Sequence, residues 1–542
     1  MLNFLISIIS YKPFQLYSRL RIILFGRKKI KFQFHNEFNI LKNTKLLETA
    51  KNCKNSDYAI KSNNLLFKDR ILFLGELEAN TNDFFNNSFF KEEDNLKKYE
   101  LSYLNCFSNL IFCNDQVLLT QQINSLNTIY DDSHKMSFNH SFWYPYSVSS
   151  RIINVSILIA HLQKIKFSED MIKPILNNLN NDYQYLKRNI EFDSDGNHLL
   201  KNYISLLIGS IFFEESKTSS FYRNLLNTLK IQLLDSGMHY EKSFDYHNSL
   251  FYDLSLTFSL LEESMIDTKV LKNYLEKMFS FSKKLLRNEK ILFNDSFKNF
   301  HFDTKMMIDY LSNKFTYNDN IDIFPPLKSF KLDDIELIAY VSDVNPKYCP
   351  AHLHDSIGTY EMWFKNLKFI TDSGNYDYNN NKNRLYYRST FAHNLSTCSL
   401  NGQSTIFKPF RYGLTAKLEY VKDLKNKFEI AFSEIDGIFS RNKILRRFNI
   451  NENSISIEDC TNRKNSLSFI HLSPDVEIKK LTKYKYLLLK NDLIINLDID
   501  KSINDSFIIE TPYANQFFKQ KFKQTIKIKF NNSLRYSYIN KN

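Results

Sequence analysis

The sequence predicts a helical domain followed by an all-β domain of antiparallel strands, packed as a sandwich. Two observations carry this expectation. From about residue 45 to 320, apolar side chains recur at helical spacing. After the Pro pair of FPPLKSF (324–330), the period becomes two. A chain of 542 residues that is 43% hydrophobic has enough material for two or three domains and a large core. With 24% charged residues, it reads as globular rather than disordered or collagenous.

The helical expectation rests on segments such as RIINVSILIAHLQKI (151–165), HLLKNYISLLIGSIFF (198–213), FYRNLLNTLKIQLLDSG (221–237) and NSLFYDLSLTFSLLEESM (248–265). Short polar stretches separate them, as in an array of antiparallel helix pairs. Gly237 stands where a helix should stop. The strand expectation rests on IELIAYVSDV, YEMWFKNLKFITDSG, FEIAFSEI, ISIEDC, YKYLLLKNDLIINLDI and QTIKIKF. Asn401-Gly402 and Lys490-Asn491-Asp492 lie between strand-like runs and predict hairpin turns. Strands that follow strands at short spacing imply antiparallel sheets. The expected division is an extension over residues 1–45, a helical domain over 46–325 and a β domain over 326–542.

The net charge is +13, from 72 Lys and Arg against 59 Asp and Glu. A basic protein can bind nucleic acid, an anionic membrane or an acidic polymer. No long run of like charges and no basic-aromatic module appears, which argues against nucleic acid. AT-rich codon usage, which enriches Lys, Asn, Ile and Phe, accounts for part of the charge. Gly is low, at 10 residues, against a Gly-rich phosphate loop and an organic nucleotide cofactor. The six cysteines form no CxxC pair, so neither a cysteine zinc site nor a disulfide framework is expected. The opening MLNFLISIIS is apolar for about ten residues before Lys12, too short to span a bilayer. It lacks a basic leader and a small-residue cleavage site, so a cytoplasmic or envelope-associated location, the periplasm included, is expected. The sequence carries no signal for oligomeric state.

Several polar clusters could carry chemistry. In His352-Leu353-His354-Asp355, a strand would point both imidazoles the same way. Asp372 and His393 follow. Together, His354, Asp372 and His393 have the ligand types of a tetrahedral zinc site. Asp195-Gly196-Asn197-His198 reads as a helix start, with Asp195 a cap. Glu241 to His247, which includes Tyr246, leads into an apolar helix. Trp143, one of two tryptophans, is a sugar-stacking candidate in WYPY (143–146), although buried tryptophan is commoner.

Seven segments, in order, resemble the heparinase II/III-like family, which includes lyases acting on heparin, heparan sulfate and, in related families, alginate. YKPFQLYSRLR (11–21) resembles the N-terminal segment of members found with surface-polysaccharide genes. WYPYSVSSRIIN (143–154), GNHLLKNYISLLIGSIFF (196–213) and DSGMHYEKSFDYHNSLFYDL (235–254) resemble three elements of its helical part. AHLHDSIGTYEMWF (351–364), FITDSGNYDY (369–378) and YYRSTFAHNLSTCSLNGQS (386–404) resemble its H-x-H, DSG and RST-x-AHN elements. The resemblance implies an incomplete (α/α) toroid followed by an antiparallel β-sandwich, with the site between them.

It also implies β-elimination at a uronic acid in an acidic polysaccharide. Such a reaction needs neutralisation of the carboxylate, a base for the C5 proton and an acid for the departing O4. By the resemblance, Asn197 and His198 meet the carboxylate, Tyr246 is the acid and often also the base, and His352 is the second proton-transfer group. His354, Asp372 and His393 correspond to a structural zinc site of some members. Glu241, Tyr378 and Arg388 fall in or beside family elements as substrate contacts. Many members carry an Asp two positions after the second His. Here Ser356 stands there and Asp355 is one residue early, which on a strand reverses the face. Two other functions therefore stay open: a hydrolase or modifying enzyme of surface-polysaccharide assembly, and a glycan-binding protein with a degenerate site.

Overall fold

The computed structural model describes residues 2–35, 43–80, 95–424, 427–438, 440–451 and 454–540. Its first part is helical and its second is antiparallel β, an incomplete (α/α) toroid followed by a β-sandwich. The helical part is built in two layers, and composition decides which helix enters which layer. Pro145–Lys164, Gly196–Phe212 and Phe244–Glu263 are apolar on nearly every side and buried along almost their whole length. Glu169–Arg188, Thr218–Gln232 and Lys269–Lys284 bury one stripe and present Lys, Glu and Asn outward. Each inner helix therefore has an outer neighbour that shields it from water.

The last helix of this part is Thr304–Leu311, and the first sandwich strand is Leu327–Leu332. An eight-stranded sheet pairs Ser454–Thr461 with Ser533–Asn540, which brings the chain's end back into its centre. Two four-stranded sheets complete the domain. The period-two pattern explains their sidedness: Phe428, Ile430 and Phe432 enter the core while Lys427 faces out. At the middle of the sandwich, Arg446 holds Asp459 through two contacts of 2.7 Å and also donates to the Gly358 and Asn394 carbonyls.

Three expectations change in detail. Lys490-Asn491-Asp492 does form a tight hairpin, with Lys490 opposite Leu493. Asn401-Gly402 does not: the short strands on either side, Ser396–Thr397 and Ile406–Lys408, pair with other partners. Gly237 lies beyond the helix end at Gln232, where a Cβ would meet the Lys277 carbonyl oxygen at 2.4 Å. Residues 351–356 are loop rather than strand, so the face-alternation argument for His352, His354 and Asp355 does not apply there.

Two N-terminal helices, Leu2–Ile9 and Pro13–Phe25, lie beside the junction of the two parts. Ser7 of the first accepts a hydrogen bond from Arg411 of the β part at 3.3 Å. Lys12, just before the second, pairs with Asp195 of the helical part at 2.7 Å. Among the described residues, no helix is long and apolar enough to cross a membrane.

Gly374 of the DSG element shows how sequence shapes the junction. Its φ is +75°, and a Cβ there would lie 2.0 Å from the Ala514 carbonyl oxygen. The close approach lets Asn375 donate its N–H to Ala514 and sends the chain on to Tyr378. Gly374→Ala should cost at least about 1 kcal/mol, read as a lower midpoint in urea unfolding. A wild-type unfolding curve would contradict this role.

Candidate active site

A cleft of about 530 Å³ lies at the junction, lined by both parts and by Tyr11, Arg19 and Arg27 of the N-terminal segment. Its floor is set by two helix starts. Asp195 caps Gly196–Phe212 by accepting from the Gly196 N–H at 2.8 Å, and Asn197 and His198 follow on the first turn. Gly196 has φ +58°, and a Cβ there would meet the Glu241 carboxylate at 1.9 Å. Its absence lets Glu241 accept both the backbone N–H of Asn197 (2.9 Å) and its side-chain amide (2.6 Å). Ser243 caps Phe244–Glu263, accepting from the Tyr246 N–H at 3.3 Å.

Tyr246 and His352 meet across the junction. Their rings stack with centroids 3.9 Å apart and planes 28° off parallel. The Tyr246 hydroxyl lies 2.9 Å from that of Tyr378. Burial, with Tyr378 close by, pushes the Tyr246 phenol well above the ordinary tyrosine range. It therefore holds its proton at neutral pH and suits an acid.

Behind His352 stands Asp295, fully buried. It lies 2.9 Å from His352 Nδ1 and 2.8 Å from His354 Nε2, and Arg384 grips it through both terminal nitrogens at 2.5 and 2.9 Å. Burial opposes its ionisation, but the Arg384 charge and the two imidazole hydrogen bonds hold its carboxyl well below the usual range. An ionised carboxylate only accepts hydrogen bonds. Both imidazoles therefore donate to it, His352 through Nδ1, which leaves Nε2 as its other ring nitrogen. That atom lies 3.8 Å from Glu241, at the Asn197 side of the cleft.

His198 sits over Tyr146, ring centroids 4.4 Å apart, with Nδ1 3.2 Å from Glu191. Burial disfavours its charge, but Glu191 outweighs this by charge and hydrogen bond and raises the imidazole above its ordinary range. Lys201, paired with Asp253 at 2.8 Å, adds positive charge to the same wall, and Arg19, Arg27 and Arg411 line the cleft as well. The arrangement offers cationic side chains interleaved with carboxylates such as Glu191, Glu241 and Asp253, a protonated phenol and an imidazole whose Nδ1 meets a carboxylate.

The structure thus brings Asn197, His198, Glu241, Tyr246, His352 and Tyr378 into one cleft. It does not bring Trp143 or Arg388 there. Trp143 is buried against Phe138 and Tyr185, with its indole N–H on the Ser133 carbonyl at 3.1 Å. Arg388 is buried and donates to the Leu353, Pro350, Lys408 and Pro409 carbonyls, so it ties loops together. Arg384, one turn earlier on Lys382–Arg388, is the arginine that serves the site. Asp355 accepts from Thr390 and from the Ser404 N–H, both at 2.7 Å. It fastens a loop, so its one-residue shift does not touch Tyr246 or His352. Asp295 and Arg384 were not anticipated. Asp295 follows Asn294 in a segment with no motif, and only its partners give it meaning.

His354 and His393 lie with ring centroids 5.4 Å apart, both buried. Asp295 fixes Nε2 of the first and Asp372 fixes Nδ1 of the second at 2.8 Å. This leaves His354 Nδ1 and His393 Nε2 as buried nitrogens without a hydrogen-bond partner. Carboxylate-oriented imidazoles with free lone pairs suit a divalent ion. Asp372 faces His393 and also accepts from the Ser373 N–H at 2.7 Å. Among the described residues, no three His, Cys, Asp or Glu side chains converge as a ligand set.

Two family models match the chain: Heparinase II/III N-terminus over residues 89–331 and Heparinase II/III-like, C-terminal over 327–528. No curated protein matches by sequence. Among solved structures, a heparinase III superposes with a TM-score of 0.63 at 14% identity, over 97% of this chain and 91% of that one. A heparan sulfate lyase HepC mutant from Pedobacter heparinus gives 0.57 at 14% identity, over 91% and 87%. A chondroitin AC lyase from Streptomyces coelicolor gives 0.50 at 8% identity, over 97% and 82%. At these identities the likeness is one of fold.

The Asp295 cluster predicts a stability effect. Asp295→Asn leaves the buried Arg384 without its counter-charge and should cost about 3–5 kcal/mol, measured by urea unfolding. Because the Asp295 carboxyl is held low, its contribution is present above the ordinary carboxylate range and is lost as pH falls towards its lowered folded value. An unchanged unfolding midpoint in Asp295→Asn would contradict the cluster's role.

Proposed function

Because the chain belongs to the heparinase II/III-like family, we propose that it is a polysaccharide lyase that cleaves a uronic-acid-containing polymer by β-elimination in this cleft. The observation that carries the reading is the stacked Tyr246–His352 pair backed by Asp295. Removal of the C5 proton builds negative charge on the uronate carboxylate. His198, whose cationic form is favoured, meets that charge, and Asn197 offers its second amide N–H. His352 Nε2 takes the C5 proton, and Asp295 stabilises the imidazolium that results. Tyr246 gives its proton to O4 as the C4–O4 bond breaks, leaving a 4,5-unsaturated uronate. Tyr378 holds the Tyr246 hydroxyl in place, and Arg19 and Arg411 favour an anionic polymer.

The pair also argues for a stereochemistry. With base and acid stacked side by side, we propose that both act on one face of the sugar ring and that elimination is syn. Uronates with H5 and O4 on the same face, glucuronate and mannuronate, fit this geometry. Iduronate and guluronate, with the two on opposite faces, do not.

We also propose that His354 and His393, with Asp372 beside them, hold a divalent ion such as zinc. It would cross-link the loops behind His352 and do no chemistry on substrate. Elemental analysis of purified protein should find about one ion per chain; its absence counts against the site.

Tyr246→Phe should lower kcat by about 10²–10⁴-fold, followed as ultraviolet absorbance of the unsaturated product across a panel of uronate polymers. Unchanged turnover would sink the assignment. Reducing ends released without that chromophore would favour a hydrolase. His198 contributes binding while protonated, and its raised value puts the loss above about 6.5. KM should therefore rise with pH through the neutral range, and His198→Ala should flatten the dependence. A flat wild-type profile would remove His198 from carboxylate binding.

A further inference from the structure

The N-terminal helix pair is built inside out. On Pro13–Phe25 the buried side chains are Gln15 and Ser18, and on Leu2–Ile9 the buried one is Ser7. The polar side holds the pair to the protein. The Gln15 amide reaches the Ser194 and Tyr348 carbonyls at 3.5 and 3.4 Å, Arg19 donates to the Asp193 carbonyl at 3.1 Å, and Lys12 pairs with Asp195. The apolar side faces away. Phe14, Tyr17, Leu20 and Leu24 recur at spacings of three and four, which makes one stripe, and all are more than half exposed. Ile9, Ile23 and Phe25 are 80%, 78% and 80% exposed. A helix that merely packs on a soluble protein has the opposite sidedness, and contiguous apolar exposure of this kind marks an interaction surface.

The charge of the segment says what it meets. Residues 2–35 contain seven Lys and Arg and no Asp or Glu. Lys28, Lys29 and Lys31 follow directly on the apolar stripe and are exposed. Apolar side chains beside basic ones on one short element are the chemistry of a helix lying in the interface of an anionic bilayer. The same segment is a poor self-association surface, because a two-fold contact would set its basic residues against their own copies. Neither helix has the length to span a bilayer, so the contact is with the surface of the membrane.

We propose that residues 2–35 dock this protein on an anionic phospholipid surface, with the Phe14–Leu24 stripe in the acyl–headgroup boundary and Lys28, Lys29 and Lys31 on the headgroups. One consequence is spatial. Arg19, on the same helix as the stripe, lines the cleft together with Tyr11 and Arg27. Docking therefore holds that end of the cleft within about one helix diameter, ~10 Å, of the bilayer. Glycan reaching the site would be glycan at the membrane. The docking itself does not depend on the chemistry assigned to the cleft.

Vesicle flotation of the full chain tests it, comparing phosphatidylglycerol–phosphatidylcholine vesicles with pure phosphatidylcholine. The protein should float with the anionic vesicles, and high salt or neutral vesicles should reduce the bound fraction at least tenfold. Leu20→Glu/Leu24→Glu should abolish flotation while circular dichroism, the melting curve and turnover of soluble polymer stay at wild-type values. Lys28→Glu/Lys29→Glu, which leaves the stripe untouched, should give the same loss and guards against misfolding of the first variant. Failure to float with either vesicle overturns the proposal. So does flotation undiminished in both variants. A dimer seen by light scattering, dissociated by Leu20→Glu/Leu24→Glu with no flotation, would overturn it in favour of a second copy.

Discussion

A single buried carboxylate holds this molecule's site together. Asp295 lies in the loop between the helices Lys269–Lys284 and Thr304–Leu311, and its charge is shared by Arg384, His352 and His354. Its backbone is tied as well. The Asp295 N–H donates to the His352 carbonyl at 3.1 Å, and Ser243, the cap of the Tyr246 helix, donates its hydroxyl to the Asp295 carbonyl at 2.8 Å. The acid's helix, the base's loop and the arginine's helix thus meet at one residue. An ionised carboxylate at zero exposure survives only with partners of this kind. The same partners fix which nitrogen of His352 carries a proton. Stability and reactivity here are two consequences of one electrostatic arrangement.

Much of this was legible in the sequence, and the exceptions have physical reasons. The change of period at the Pro pair marks the change from helices to strands because side-chain direction follows backbone geometry. Asn197, His198 and Tyr246 are readable through the family resemblance of their segments, and the structure places them on first turns capped by Asp195 and Ser243. His352 is readable as a residue type but not through strand alternation. Its segment is a loop, and it shares a direction with His354 because both donate to Asp295. Arg388 and Arg384 sit four apart on one short helix, and spacing does not say which meets a carboxylate and which meets carbonyls. Trp143 was misplaced because an aromatic's identity does not reveal its exposure. Asp295 itself carries no local signal, since all its meaning lies in contacts distant along the chain.

The positive charge, diffuse in composition, is organised in the fold. His198, Lys201, Arg19, Arg27 and Arg411 line one cleft, and a second concentration lies just beyond the N-terminal helices. The first shares its cleft with carboxylates such as Glu191, Glu241 and Asp253, and the second has no acidic residue in its segment and suits an anionic surface. They are joined by the helix Pro13–Phe25, whose polar side contributes Arg19 to the cleft and whose apolar side faces outward. The inverted sidedness of that helix is unfavourable for an isolated soluble protein, and it becomes intelligible when the outer side has a partner.

Asp295 acts on the reaction through His352. A double-mutant cycle measures this directly, using kcat/KM of wild type, Asp295→Asn, His352→Ala and the double variant on one uronate polymer. The losses should be strongly non-additive, with the double variant close to His352→Ala alone. Additive losses would show that Asp295 and His352 act independently and would contradict that coupling.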